Sequence, residues 1–449
     1  MNEKAAAVSI CKELQDAGFQ AVFAGGCVRD MLLDIEAHDI DIATSATPDE
    51  VEDLFDRTIA VGKQFGVIIV KRDGAEFEVA TFRNDGKSSD GRHPDSIDFS
   101  SMEEDAKRRD FTINAIFFDP ISKEIHDFVG GENDLAAGRL RFVGDASSRI
   151  AEDQLRILRA FRFAARFNME LSPDTEKVLS KMSKKLDSVS AERIKMELDK
   201  MLSADVPSRA IRLMQRAGLL EVILPEVARL DGEQHSARWH SEGDIFEHTM
   251  RVLDNAAELT DDIAVRWAAL LHDTGKPKTA APNKRGGIAN HGHEFVSEKI
   301  AREVLQRLKT STKEIDKVAF LCREHMRVKL VGKMKRFKVR RLAASPFIKE
   351  LIVLGEADSA ASIPIDPSLE GDKMGWKKVL ADLDDEVGLG LPRPVLTGDD
   401  LKEMGFAPGP AFKQILDKVQ EMQLEDLILT AEDAKAFVMK RFKGMMNAS

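Results

Sequence analysis

The chain has 449 residues, 43% apolar and 32% charged, with a formal net charge of −11 at pH 7. That size predicts two to four domains with sizeable cores, and the composition is ordinary for a water-soluble globular protein. No apolar run is long enough to span a bilayer, and the first residues, Met1 to Ala7, lack the basic and apolar regions of a secretory leader. Three cysteines, Cys11, Cys27 and Cys322, show neither metal nor redox spacing, which fits a reducing cytoplasm without disulfides. The acidic total argues against nucleic-acid binding in general, but local clustering of basic residues decides that question. The chain has no tyrosine, so no mechanism using a phenol applies.

Residues 1–20 read as an amphipathic helix, with Ala7, Ile10, Leu14 and Ala17 at helical spacing. Strands are predicted at 20–24, 39–44, 67–71, 77–83, 111–118 and 124–128. Thr47 before Pro48 marks a helix start, cap first and proline at the first helical position. The first 145 residues are thus an α+β unit around a mostly β core. From Ser147 onward the pattern is almost wholly helical. Ser172-Pro173 opens one helix and Gly218 closes another. Composition changes near 230–243 and 363–373 divide this part, giving expected domains at 1–145, 146–230, 231–370 and 371–449.

The chemistry begins at Gly25-Gly26-Cys27-Val28-Arg29-Asp30, followed by Asp39-Ile40-Asp41. In a strand, residues two apart leave the same face, so Asp39 and Asp41 are placed to share a divalent metal. Gly25 and Gly26 let backbone N–H groups approach a phosphate, and Arg29 adds a charge-assisted contact. The alternative is a glycine turn and an edge strand with solvated aspartates. A third carboxylate is available from Glu76 or Glu78, which alternation puts on one face of another strand. Further on, Asp110 and Asn114 suit ribose hydroxyls, and Arg108 and Arg109 suit phosphate.

Taken together, Gly25-Gly26-x-Val28-Arg29-Asp30, Asp39-x-Asp41, Glu78-Val79-x-Thr81-Phe82-Arg83 and Arg108-Arg109-Asp110-Phe111-Thr112-Ile113-Asn114 resemble the class II tRNA nucleotidyltransferase and bacterial poly(A) polymerase superfamily. The resemblance implies a DNA-polymerase-β-like head, Mg²⁺ on Asp39 and Asp41, and Glu78 rather than Glu76 as the third carboxylate. The stretch 90–95 resembles the flexible loop of CCA-adding members, with Ser88 or Ser89 where many relatives have tyrosine.

Next comes Glu152-Asp153-Gln154-Leu155-Arg156, continuing to Phe167. Arg156, Arg159, Arg162 and Arg166 line one helical face, beside an apolar face of Leu155, Leu158, Phe161 and Ala165. Asp153 and Arg156, one turn apart, present an acceptor and a donor fork together. A carboxylate accepts from the exocyclic amine of cytosine or adenine, and a guanidinium donates to ring acceptors. Uracil and guanine place a carbonyl where those amines stand, leaving buried groups unpaired at about 1–3 kcal/mol each. This pair is therefore expected to select C and A over U and G. The Glu-Asp-x-x-Arg pattern also resembles the family's nucleotide-recognition motif, with Gln154 in place of a common proline. The segments 190–198 and 217–226 resemble its neck and body.

His248, His272-Asp273, His293, His325 and Asp358 follow in an order that resembles the HD metal-dependent phosphohydrolases, with His272-Asp273-Thr274-Gly275-Lys276 as the specific core. Imidazoles with carboxylates suit a divalent metal of unassigned identity. The basic run from Lys333 to Arg341 reads as an RNA phosphate track. The resulting expectation is a Mg²⁺-dependent enzyme adding CCA to a tRNA 3′ end from CTP and ATP, with no membrane association. The competing readings are an A-adding-only enzyme, a poly(A) polymerase, or an HD phosphohydrolase whose head binds RNA. Oligomeric state is not legible.

Overall fold

The computed structural model describes residues 3–36, 39–85, 97–233, 244–282, 288–362 and 390–446. The expected flexible loop at 90–95, with Ser88 and Ser89, lies outside those residues. So do His38 and the composition change at 363–373. The chain separates into two compact units, Met1–Pro225 and Glu226–Ser449. Among the described residues no helix is long and apolar enough to cross a membrane.

The first unit opens with α1 (Glu3–Asp16), β1 (Ala21–Ala24), α2 (Gly26–Leu32), β2 (Ile42–Thr44), α3 (Pro48–Leu54), β3 (Thr58–Gly62), β4 (Val67–Arg72) and β5 (Ala75–Thr81). It continues through β6 (Arg83–Asp85), β7 (Ile97–Phe99), α4 (Met102–Arg108), β8 (Ile116–Phe118), β9 (Ile125–Asp127) and α5 (Gly131–Ala136). Seven strands form one mixed sheet in the order β3-β4-β5-β2-β1-β8-β9, in which only the β2–β5 pair is parallel. The α+β expectation is met. One face of α1, carrying Ala7, Ile10 and Leu14, packs with Phe23, Ile42, Phe77 and Val79 in the head core. Thr47 caps α3 through a reciprocal capping box with Glu50, with Pro48 at the start, as its spacing predicts.

Two strand expectations change. The predicted strand 111–118 is a 3₁₀ turn at Thr112–Asn114 followed by β8. Thr112 and Asn114 turn their side chains to Asp134 and Asp110, bonds that a regular ladder would not allow. The strand expected from residue 39 begins only at Ile42. Edge strand β3, with a register shift between Ile59 and Gly62, carries too little apolar alternation to be read in advance.

The neck follows a two-stranded parallel ribbon, β10 (Arg139–Leu140) with β11 (Glu170–Leu171), that brackets α6 (Ala146–Glu152) and α7 (Arg156–Arg166). Then come α8 (Pro173–Met182), capped by Ser172, α9 (Ala191–Leu202), α10 (Ser208–Arg216), α11 (Leu220–Ile223) and α12 (Pro225–Ala228). Gly218, at φ +69°, follows the end of α10 as expected.

The second unit is helical: α13 (Ile245–Leu259), α14 (Ile263–Leu271), α15 (Lys276–Thr279), α16 (His293–Arg307), α17 (Thr312–Val328), α18 (Arg336–Ala343) and α19 (Ile348–Ala361). A short β12–β13 ribbon (Ala281–Pro282 with Ile288–Ala289) interrupts it. Three more helices, Gly398–Glu403, Pro410–Leu424 and Ala431–Phe442, share their own core around Leu401, Ile415 and Val438.

Candidate functional site

Asp39 and Asp41 lie immediately before β2. The ladder to β1 runs one residue further, through a 3.0 Å bond from the Ala24 N–H to the Asp41 carbonyl, and stops where Gly25 turns to φ +74°. A Cβ at Gly25 would also lie 2.8 Å from Arg109 Nη1, so both backbone and space call for glycine there. Gly26 opens α2. The choice between Glu76 and Glu78 rests on register. Ile42 pairs with Val79 in the parallel ladder, so Asp41 and Glu78 each stand one residue before that pair. Glu76 is instead ion-paired with Lys71 across the hairpin, at 2.8 Å. Burial and then the Glu78 charge push the Asp41 carboxyl up to about 6, with Arg109 opposing and Asp39 adding to the rise. A carboxylate group with this much uncompensated negative charge, offering hard oxygen donors, fits Mg²⁺.

Around these residues every arginine expected to meet phosphate has a carboxylate or carbonyl partner. Arg29 is buried, donating to Asp30 Oδ1 from Nε at 2.8 Å and from Nη2 at 2.6 Å, and to Asn114 Oδ1 from Nη1 at 2.6 Å. Its guanidinium sits 4.2 Å from the Phe167 ring centroid. Arg109 holds Asp105 Oδ2 at 2.9 Å and the Asn114 carbonyl at 3.1 Å. Asp110 accepts from Asn114 at 3.0 Å and from Arg159 Nη2 at 2.6 Å. Burial works against its charge, yet Arg159 and these hydrogen bonds hold its carboxyl below the usual range. One network thus ties the phosphate-loop arginine, the Asp110 motif and α7 together.

The helix expected through Glu152 to Phe167 is two helices. Asp153 stands between α6 and α7 at φ −146°, its Oδ1 accepting from the Leu155 N–H and its carbonyl from the Arg156 N–H, both at 3.1 Å. The side chain therefore closes a turn just before α7 begins at Arg156, and Asp153 and Arg156 are not one turn apart on a continuous helix. Arg193 of α9 donates from Nη2 to both Asp153 oxygens at 3.0 Å, while Arg156 donates to Glu152 at 2.6 Å and to the Arg149 carbonyl at 2.8 Å. Arg162 meets Glu197 at 2.7 Å, and Arg166 lies 4.0 Å from Asp30. The arginine stripe is thus neutralised along its length, and Leu155, Leu158, Phe161 and Ala165 are buried as predicted. Sequence reasoning missed Arg193 and Glu197. Their i,i+4 spacing on one helix was the available signal.

The six HD-type residues converge. Asp273 Oδ1 lies 3.3 Å from His293 Nε2 and 3.9 Å from His325 Nε2, and Oδ2 lies 3.3 Å from His272 Nε2 and 3.8 Å from His248 Nε2. Asp358 Oδ1 is 3.2 Å from His248 Nε2. The Nδ1 atoms of His272, His293 and His325 lie 2.8, 2.7 and 2.6 Å from the carbonyls of Ala269, Asn290 and Cys322. A carbonyl only accepts, so those Nδ1 atoms carry a proton, and in the neutral ring the Nε2 lone pair faces inward. Gly275 lets α16 close on the cluster, since a Cβ there would run into the His293 carbonyl. His272 Nε2 is buried without a hydrogen-bond partner, and the Nε2 atoms of His293 and His325 face each other at 3.3 Å. Inward lone pairs of this kind, with carboxylate oxygens, fit a borderline divalent metal. Burial works against the Asp273 charge, but His272 and Lys276 hold the carboxyl well below the usual range. Burial, then His272, lowers His325 to about 3.

Three arginines of the basic run have partners within the same unit. Asp426 pairs with Arg336 at 2.8 Å and Arg340 at 2.6 Å, and Gln420 accepts from Arg341 at 3.2 Å, so its arginines hold the C-terminal helices. Lys333, Lys335 and Lys338 stay exposed.

The fold and these two centres define a chain with a nucleotidyltransferase-type head, an RNA-binding-type neck and an HD domain. Residues 21–141 match the family model of the poly A polymerase head domain. Residues 168–230 match that of the probable RNA and SrmB-binding site of polymerase A, and 245–362 that of the HD domain. More particularly, the chain is similar to CCA-adding enzymes. It is 44% identical to that of Bacillus pumilus over 216 residues, 48% of this chain and 54% of the relative. It is 41% identical to that of Geobacillus sp. (strain WCH70) over 267 residues, 59% of this chain and 62% of the relative. The matched part thus spans about half to three-fifths of the length of these curated relatives. The crystal structure of the Bacillus stearothermophilus CCA-adding enzyme in complex with CTP superposes with a TM-score of 0.69 at 27% identity, covering 99% of both chains. The Thermotoga maritima CCA-adding enzyme complexed with tRNA shares the fold, with a TM-score of 0.57 at 20% identity over 98% of this chain and 96% of the other.

Proposed function

We propose that this chain is a template-independent tRNA nucleotidyltransferase that adds C, C and A to a tRNA 3′ end from CTP and ATP, releasing pyrophosphate. The observation that carries this reading is the β2–β5 register that sets Glu78 beside Asp41, next to the Gly25 turn and Arg109. Asp39, Asp41 and Glu78 would hold Mg²⁺, which when bound acidifies the terminal 3′-hydroxyl and offsets the leaving-group charge in a two-metal site. Gly25 and Gly26 admit the triphosphate close to the backbone. Asp110 and Asn114, braced by Arg159 and Arg29, orient the sugar. Asp153 and Arg156 read the base edge, the first held by Arg193 and the second by Glu152. The CTP-bound relative supports CTP as a substrate. Purified full chain incubated with tRNA ending before the CCA, in C or in CC, plus each labelled NTP, should extend every substrate to CCA. Incorporation of A alone, on CC ends only, would overturn the CCA reading in favour of an A-adding enzyme. A long A tract would favour a poly(A) polymerase.

A second activity is supported by the convergence of four imidazoles and Asp358 on Asp273. This cluster would hold a divalent metal that, when bound, supplies an acidified water for phosphoester hydrolysis, with 2′,3′-cyclic phosphates or 2′-nucleotides at RNA ends as substrates. His272→Ala and Asp273→Ala should abolish metal-dependent phosphodiesterase activity and leave nucleotide addition in place. No hydrolysis with any divalent metal overturns this reading.

A further inference from the structure

Two lysines touch the carboxylates of the HD cluster, and they differ in where they lead. Lys276 Nζ lies 2.6 Å from Asp273 Oδ2 and its side chain is only 10% exposed. Lys329 Nζ lies 2.6 Å from Asp358 Oδ2, and its side chain is 26% exposed against 4% for Asp358. Lys329 stands just past the end of α17, four residues after His325, so it lies one turn along the same helical face. Of these two lysines, it is the one whose side chain runs from a buried oxygen out to solvent. We propose that Lys329 anchors a phosphoryl group on the side of this cluster where its own side chain reaches solvent, donating from Nζ to a non-bridging oxygen of a bound phosphoester.

The charges favour the assignment. Asp273 and Asp358 repel an incoming phosphate, and a cation paired with Asp358 offsets that repulsion. An ammonium carries three rotatable N–H donors, so one engaged with Asp358 Oδ2 still has donors for a phosphoryl oxygen. Asp358 keeps its other oxygen toward His248 throughout. The proposal rests on the reading of the cluster as a phosphoester site but is tested by binding, so the two can fail separately.

The test uses full chain loaded with Mn²⁺ and inorganic phosphate as the probe, with both affinities measured by calorimetry. Lys329→Met, neutral and similar in length, and the polar but uncharged Lys329→Gln should weaken phosphate binding about tenfold or more, the scale of one charge-assisted hydrogen bond. Mn²⁺ affinity should stay within about twofold, and Lys329→Arg should retain most phosphate affinity. Thermal unfolding of each variant identifies any that fails to fold, and the remaining ones carry the comparison. Phosphate affinity unchanged in the variants, no phosphate binding by the parent chain, or Mn²⁺ affinity falling in step with phosphate would overturn the assignment. The last outcome makes Lys329 a group that only positions Asp358. Lys329-dependent phosphate binding without turnover of bis(p-nitrophenyl) phosphate would remove the hydrolase reading and leave the anchor standing.

Discussion

In the HD cluster, Asp273 lies within 3.9 Å of four imidazole nitrogens and within 2.6 Å of Lys276. In the head, Asp41 shares a strand register with Glu78, and Asp39 and Glu78 stay exposed. The same residue type is consequently shifted in opposite directions. Burial opposes both charges, but imidazoles and an ammonium hold Asp273 low, while neighbouring carboxylates help to push Asp41 up to about 6. Helices packed around Trp267, Leu270 and Leu321 preform the first centre, whose ligand atoms converge within 4.8 Å in two groups that share Asp273. The second is an open acidic shelf at the end of a sheet. A preformed, buried donor set suits a resident ion, whereas an open shelf suits ions that arrive with a triphosphate.

The sharpest way to break this contrast is to substitute one centre and read both. Asp41→Asn or Asp39→Asn should lower nucleotide incorporation by about a thousandfold or more while Mn²⁺ uptake at the HD cluster is unchanged. Parallel loss of both would mean that the centres are not independent. Asp273→Ala removes the carboxylate at the middle of the buried cluster and should cost about 3–5 kcal/mol in urea unfolding followed by Trp267 fluorescence. Asp41→Asn, by contrast, should stabilise the cation-free protein. Arg193→Ala releases one clamp on Asp153. It should raise U and G incorporation relative to C and A about tenfold, measured by competition between labelled nucleotides, with Arg193→Lys intermediate.

The smallest effect is a pH dependence in EDTA. Because the folded value of Asp41 lies above its ordinary 3.8, the stability tied to its protonated form is complete below that value. It is lost as pH rises through about 6. Urea unfolding at pH 5 and pH 7 should show the loss in the parent chain, and Mg²⁺ or Asp41→Asn should remove it. A loss that persists in Asp41→Asn would assign the pH dependence to another group.

Much of both centres is legible in the chain itself, because the signals are local. The paired aspartates, Gly25, Asp153 with Arg156, and His272-Asp273 are recognisable by residue type and short spacing, and α7 buries the four apolar residues its periodicity names. The break at Asp153 was less legible, since an Asp side chain can close a turn between two helices without altering the apolar period on either side. In the basic run composition names the charges but not their local partners: Asp426 and Gln420 on distant segments meet its arginines, and three of its lysines stay exposed.

By itself, then, the sequence determined which side chains are candidates for chemistry, their order, and the helices and capped turns that present them, since each depends on neighbours within a turn or two. Only the tertiary structure decided which of two equivalent glutamates faces Asp41, that Arg193 grips Asp153, and that Lys329 rather than Lys276 opens to solvent. Those outcomes rest on strand register and helix docking between residues far apart in the chain, where period and composition are the same for the right partner and the wrong one.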